Sequence, residues 1–224
     1  MNISTKLFAG AALAAVAMAS APASAQLNGM ATASPEAVIV RSAARIAAYQ
    51  QIDQQYAQAI QQVRALRQEM NTLQQQLDTN GDGQLTEQEV AAGSAQVTQL
   101  QQKDQQANEL TQPIALAQYY VIEQLINDYA NAQNQVLQAK KVQVLLSPDA
   151  IQQAPEGFNI TNDILKALDT RLPTVTITPP ANWQPRRDTV STHQTVQQVL
   201  MAAAQQQAAM QQQQQQQQPA PQGR

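Results

Sequence analysis

Ten large apolar residues, Ile46, Tyr49, Ile52, Tyr56, Ile60, Val63, Leu66, Met70, Leu73 and Leu77, follow one another at steps of three or four. Their mean step of about 3.4 lies near the coiled-coil repeat of ~3.5, and half of the residues between them are glutamine. A seam this narrow cannot build a globular layer; it can bury itself only against the stripe of another helix. The spacing predicts one amphipathic helix over 41–77. After a break holding two glycines at 78–83, the period resumes through Val90, Val97, Leu100, Ala107, Leu110, Ile114, Val121, Leu125 and Tyr129. That predicts a second helix over 86–138, kinked at Pro113, which lacks the N–H and clashes with the preceding turn. Two long helices of similar seam joined by one tight break predict an antiparallel hairpin.

Composition agrees. The 224 residues include 45 Gln and 39 Ala, so the 43% hydrophobic content is inflated by alanine. Large apolar side chains are too few to fill a core proportionate to this length, and Ala, Gln and Leu with few aromatics suit long helices. The absence of Cys removes disulfides, thiol catalysis and Cys-based zinc sites. A formal charge of −3 makes a poor partner for nucleic acid, which is held by neutralising phosphates.

Residues 1–25 read as a secretory signal peptide. Lys6 gives the positive start, Leu7 to Ala19 the apolar stretch, and Ala23-Ser24-Ala25 the small-residue site, with cleavage expected after Ala25. The apolar run is too short and alanine-rich for a membrane span of ~20 residues. No later segment could form a transmembrane span, so the expected product is exported.

Residues 26–35 form a polar lead segment. Ala37 to Val40 is β-branched and predicts a strand at 37–40. Further short strands are expected within 142–153: Val142 to Leu146, then Asp149 to Gln153 after a Ser147-Pro148-Asp149 turn. Thr161 is expected to cap a terminal helix over 162–171 that ends before Pro173. Residues 174–224 read as a Pro/Gln-rich linker and largely disordered tail, with a marginal Gln/Ala helix over 191–218. His193 is expected to be solvated, and Trp183 with Arg186 and Arg187 to lie in an exposed linker. No nucleophile constellation, phosphate loop or cofactor fingerprint is present, so no enzymatic activity is expected.

Residues 78–89 carry the sharpest local motif, Asp-Thr-Asn-Gly-Asp-Gly-Gln-Leu-Thr-Glu-Gln-Glu. They fit the twelve-residue EF-hand loop position by position. Asp78, Asn80 and Asp82 stand where hard oxygens are needed, Gly83 where φ must be positive, and Gln84 where a backbone carbonyl is used. Thr86 can contribute directly or through water, and Glu89 can chelate bidentately. The expected ligand is Ca²⁺, held weakly at ~10⁻⁴–10⁻³ M because the loop has no partner loop. The competing explanation is a metal-free turn: Asn80 to Gly83 closes the chain, and Thr86 with Glu89 forms a capping box for the returning helix.

Three stretches carry a family resemblance. They are Ala37 to Val40 running into the first long helix; Glu109-Leu110-Thr111-Gln112-Pro113-Ile114 in the second; and Val142 to Leu146, Ser147-Pro148-Asp149-Ala150, then Asn159-Ile160-Thr161-Asn162-Asp163-Ile164-Leu165. In this order and spacing the chain resembles the Skp/OmpH family of periplasmic chaperones across 36–173. The resemblance implies a mainly α fold with a small β-body, in which short strands complete a trimeric β-barrel-like body and the coiled-coil hairpins form tentacles. It implies a periplasmic homotrimer that holds unfolded outer-membrane proteins without ATP. One departure is charge. Between 41 and 137 five basic residues face ten acidic ones, where tentacles of that family are rich in Lys and Arg. The alternative function is a calcium-binding structural coiled coil of the cell envelope without chaperone activity.

Overall fold

A computed structural model of the chain describes residues 29–216, so the expected signal peptide and the first three residues of the expected lead segment lie outside the described residues. The element order is β1 (Met30–Thr32), α1 (Pro35–Arg41), α2 (Ala43–Gln55), α3 (Ala57–Leu77), α4 (Glu87–Ala92), α5 (Ser94–Lys140), β2 (Val144–Leu146), α6 (Thr161–Arg171) and α7 (Arg187–Gln216). The protein is mainly helical with two short strands. No helix among the described residues is long and apolar enough to cross a membrane.

The first strand is not Ala37 to Val40. That stretch lies in α1, and β1 falls inside the expected lead segment. The helix-start signals sit just upstream: Ser34 accepts the Ala37 N–H at 3.1 Å, Pro35 stands in the first turn, and Glu36 is an acid at the N-terminus. Val38 and Ile39 are 0% and 3% exposed, so core burial overrides their β-propensity.

The predicted helix over 41–77 is two helices, α2 and α3, preceded by the separate α1 that ends at Arg41. Ser42 is extended at ψ 131° and separates α1 from α2; Tyr56, at φ −104°, marks the joint between α2 and α3. The returning segment also divides. Gly93 joins α4 to α5, and a side chain there would run into Leu77. α5 then continues through Pro113 to Lys140, with Lys141 left-handed at φ 55°.

β1 and β2 pair in parallel, Met30 opposite Val144 and Thr32 opposite Leu146. On its other side Thr32 exchanges backbone bonds with the 158–160 segment: its N–H donates to Phe158 O and its carbonyl accepts from the Ile160 N–H, both at 2.9 Å. The expected third strand at 149–153 is absent; Pro148–Ala150 forms a 3-10 turn, as Pro148 favours. Thr161 does not cap α6. The side chain of Asn159 accepts the Thr161 N–H, and the Thr161 hydroxyl accepts the Ser34 N–H at 3.0 Å, tying α6 to α1.

The core gathers on one stripe of α5. Ile114, Ala117, Val121, Leu125, Ala132 and Val136 are buried there, with Ile52 of α2, Ile164 and Leu168 of α6, Val38 of α1 and Val196 of α7. Ala44, Ala48 and Ala117 are all but inaccessible, so part of the alanine surplus lets α2 and α5 approach closely. α6 is held to α5 at both ends, by Lys140 with Asp163 at 2.9 Å and by the two-pronged Arg171 on Asp128. Leu125 is fully buried. Leu125→Ala should lower the unfolding free energy by about 2–5 kcal/mol in urea titration.

Candidate functional site

Three regions position polar chemistry: the 78–89 loop, the α3/α5 arm, and the strap of residues 174–200 on α5.

The loop is closed by its own carboxylates. Asp78, at the end of α3, accepts the N–H groups of Gly81 and Asp82 on Oδ1, at 2.8 and 3.2 Å, and that of Gly83 on Oδ2, at 2.8 Å. Gly81 and Gly83 take φ of 72° and 78°, which only glycine adopts freely. Asn80 accepts the Asp82 N–H at 2.8 Å, and Asp82 accepts the Gln84 N–H at 2.7 Å. Gln84 and Asp82 are exposed.

Glu89 ties the two ends of the loop together. Thr86 and Glu89 form the capping box of α4. Glu89 Oε2 accepts the Thr86 N–H and hydroxyl, at 3.0 and 2.8 Å. Oε1 accepts the Thr79 N–H and hydroxyl, both at 2.8 Å, and the Asn80 N–H at 3.2 Å. Donation from Thr86, then Thr79, with a smaller part from Asn80, holds the carboxyl at about 2, well below the usual carboxylate range. The six sequence-predicted oxygens thus share one loop, but Asp78 and Glu89 are each engaged by separate sets of N–H donors. Among the described residues no three Asp, Glu or His side chains converge as a metal-holding group.

Along the arm, α3 lies on the distal part of α5. Leu77 packs on Gly93, and Glu69 pairs with Lys103. Only Val63, Leu77 and Ala107 are buried among the seam residues of this stretch; Leu66, Met70, Leu73, Leu100 and Leu110 remain half-exposed.

The 174–200 strap is the feature that sequence reading missed. Expected as open linker and solvated tail, it is pinned along nearly three turns of α5, between Gln118 and Asn127. Gln124 exchanges two bonds with the Thr176 backbone, at 2.8 and 3.0 Å. Glu123 accepts the Thr189 hydroxyl at 2.8 Å and the Trp183 indole N–H at 3.4 Å, with Arg186 beside it. Trp183 packs edge-on to Tyr120 at 5.1 Å. His193 is not solvated: its ring meets Tyr119 edge-on at 4.7 Å, and Nε2 lies 3.2 Å from Gln118 Oε1. The available signal was the i, i+4, i+7, i+11 series Thr189, His193, Val196 and Leu200. It is a helical seam in which only two members are strongly apolar.

Burial pushes the His193 imidazole below its usual 6.5. A lowered histidine value means that docking of the strap is strongest above about pH 6.5, where His193 is neutral both docked and free. It weakens as pH falls from there through the lowered value. Trp183, the only tryptophan, should report this as a fluorescence change on acidification that His193→Gln removes.

Comparison with known proteins places residues 29–168 in a family. The family model "OmpH: Outer membrane protein (OmpH-like)" matches residues 29–168, from β1 through most of α6. A solved structure of a candidate outer membrane chaperone (OmpH-like) from Caulobacter crescentus CB15 is 26% identical, over 70% of this chain and 94% of that one, with a TM-score of 0.44. Among curated proteins no sequence matches. The strap and α7 lie beyond the family match.

Proposed function

The chain belongs to the OmpH-like family, and on that footing we propose that it is a periplasmic, ATP-independent holdase for unfolded outer-membrane proteins. The observation that carries this reading is the family match across nearly the whole body and arm. The arm supports it physically. A thin seam with half-exposed Leu66, Met70, Leu73 and Leu110 among glutamines offers many weak contacts, and weak contacts release a client without an energy source. An enzymatic role is not part of the proposal.

An antiparallel α3/α5 hairpin and a homotrimer belong to the same proposal. The hairpin is supported by contacts that join late α3 to early α5, Leu77 to Gly93 and Glu69 to Lys103. The trimer is supported by β2. Its outer edge has no strand partner among the described residues, and Val144 on it is 45% exposed. A sheet of two three-residue strands is too small to stand alone, and strands of sister copies would cover that edge. Light scattering should give the mass of a trimer, and the protein should suppress aggregation of a denatured porin diluted from urea. A stable monomer without suppression would overturn the proposal.

A second reading, in which the arm's tip also takes Ca²⁺, is favoured by one observation. Asp78 is already anchored by the amides of Gly81, Asp82 and Gly83, which wraps the loop around the first expected ligand. The other ligands would be Asn80, Asp82, Gln84, Thr86 and Glu89. Metal would have to replace the capping bonds of Glu89, so binding is expected to be weak. Calorimetric titration should show Ca²⁺ heat at ~10⁻⁴–10⁻³ M. Asp78→Ala combined with Glu89→Ala should abolish it. Silence of the unmodified protein at millimolar Ca²⁺ leaves the hydrogen-bonded turn as the loop's whole purpose.

A further inference from the structure

The described residues divide sharply by charge. From Ala57 to Glu109, the stretch that holds the arm, there are seven acidic residues and three basic ones. The rest of 29–216 holds nine acidic and eight basic residues. Most of the net negative charge of the described residues therefore sits on the arm, while the body is close to neutral.

The arm also carries an apolar groove. Between α3 and α5 a hollow of about 510 Å³ is lined by Ala65, Leu66 and Leu110, by two glutamines, and by the carboxylates Glu69 and Glu109. No basic residue lines it. Arg64 and Arg67 are exposed on α3 but do not reach this hollow. Lys103, the third base, pairs with Glu69 and lines a separate hollow beside it. Glu69 stays accessible despite that pair, with its side chain 57% exposed, and Glu109 is exposed as well. Asp104 stands exposed beside Glu109 on α5, lining a neighbouring hollow with it.

An apolar hollow bordered by two exposed carboxylates, Glu109 and the Glu69 that also pairs with Lys103, on an arm of net negative charge is complementary to one kind of segment. We propose that the α3/α5 groove docks extended stretches of unfolded polypeptide that place a large apolar side chain next to Lys or Arg. The occupant's side chain covers Leu66 and Leu110 while its ammonium or guanidinium group faces Glu69 and Glu109. The inference rests on the holdase reading and names the class of client segment that this site selects. It runs against the Lys- and Arg-rich tentacles that the resemblance led one to expect. The long-range field of the arm, screened over ~8 Å at physiological salt, would act on encounter as well as on the docked state.

The test uses the full chain and two dye-labelled, unstructured peptides of identical apolar pattern, one carrying lysines and the other glutamates at the charged positions. Anisotropy titration should show the lysine peptide binding roughly three- to tenfold more tightly, as two or three exposed ion pairs provide. The advantage should shrink in high salt. Glu69→Gln combined with Glu109→Gln should reduce it, whereas Glu156→Gln, an exposed acid of the body, should leave it unchanged. Equal affinity for both peptides, or an advantage untouched by the double variant, would overturn the inference. Aggregation of a denatured porin is followed in parallel. Suppression without charge discrimination removes only the groove proposal, while loss of both suppression and peptide binding removes the holdase reading with it.

Discussion

The body hangs on one stripe of one helix. Ala117, Val121 and Leu125, each fully buried, follow at four-residue steps on α5, and Ala132 and Val136 prolong the row. α1, α2, α6 and α7 all pack against this helix, so elements from both ends of the chain share a single surface. The same helix continues outward into the arm, where its partner changes to α3 and burial falls away. α5 is thus core at one end and half-exposed arm at the other. The transition lies near Ile114, beyond which the seam is reduced to Ala107 and half-covered leucines.

What was legible in the sequence was the period. Steps of three and four placed the arm helices and their break to within a few residues, because an amphipathic helix declares itself over many turns. Short elements were another matter. Ala37 to Val40 has the composition of a strand and the structure of a helix, since four residues carry too little pattern to outweigh an upstream cap and deep burial. The real β1, Met30-Ala31-Thr32, has almost no strand signature and exists because two neighbouring segments supply its backbone partners. The strap was illegible for a related reason. Its grip depends on Glu123, Gln124 and Asn127, ordinary polar residues of α5 whose role appears only once chain some sixty positions away is laid across them.

The loop at the arm's tip shows how one set of residues satisfies two descriptions. Oxygens at alternate positions and a carboxylate at the twelfth are what a hard cation requires, yet the same oxygens satisfy the free amides of a turn and of a new helix start. Asp78 serves Gly81, Asp82 and Gly83; Glu89 serves Thr79, Asn80 and Thr86. Metal and backbone compete for the same lone pairs, so any affinity of the loop is tied to the stability of the turn it would open.

The pairing of β1 with β2 sets an order of assembly. Thr32 and Leu146 are 114 positions apart, while the contacts that join α3, α4 and α5 span far shorter lengths of chain. Closing the sheet costs the entropy of a very long loop, whereas the tip of the arm closes a short one. The arm can therefore zip from its tip while the first strand still waits for its partner. The sheet is therefore among the contacts with the highest entropic cost of closure in the fold.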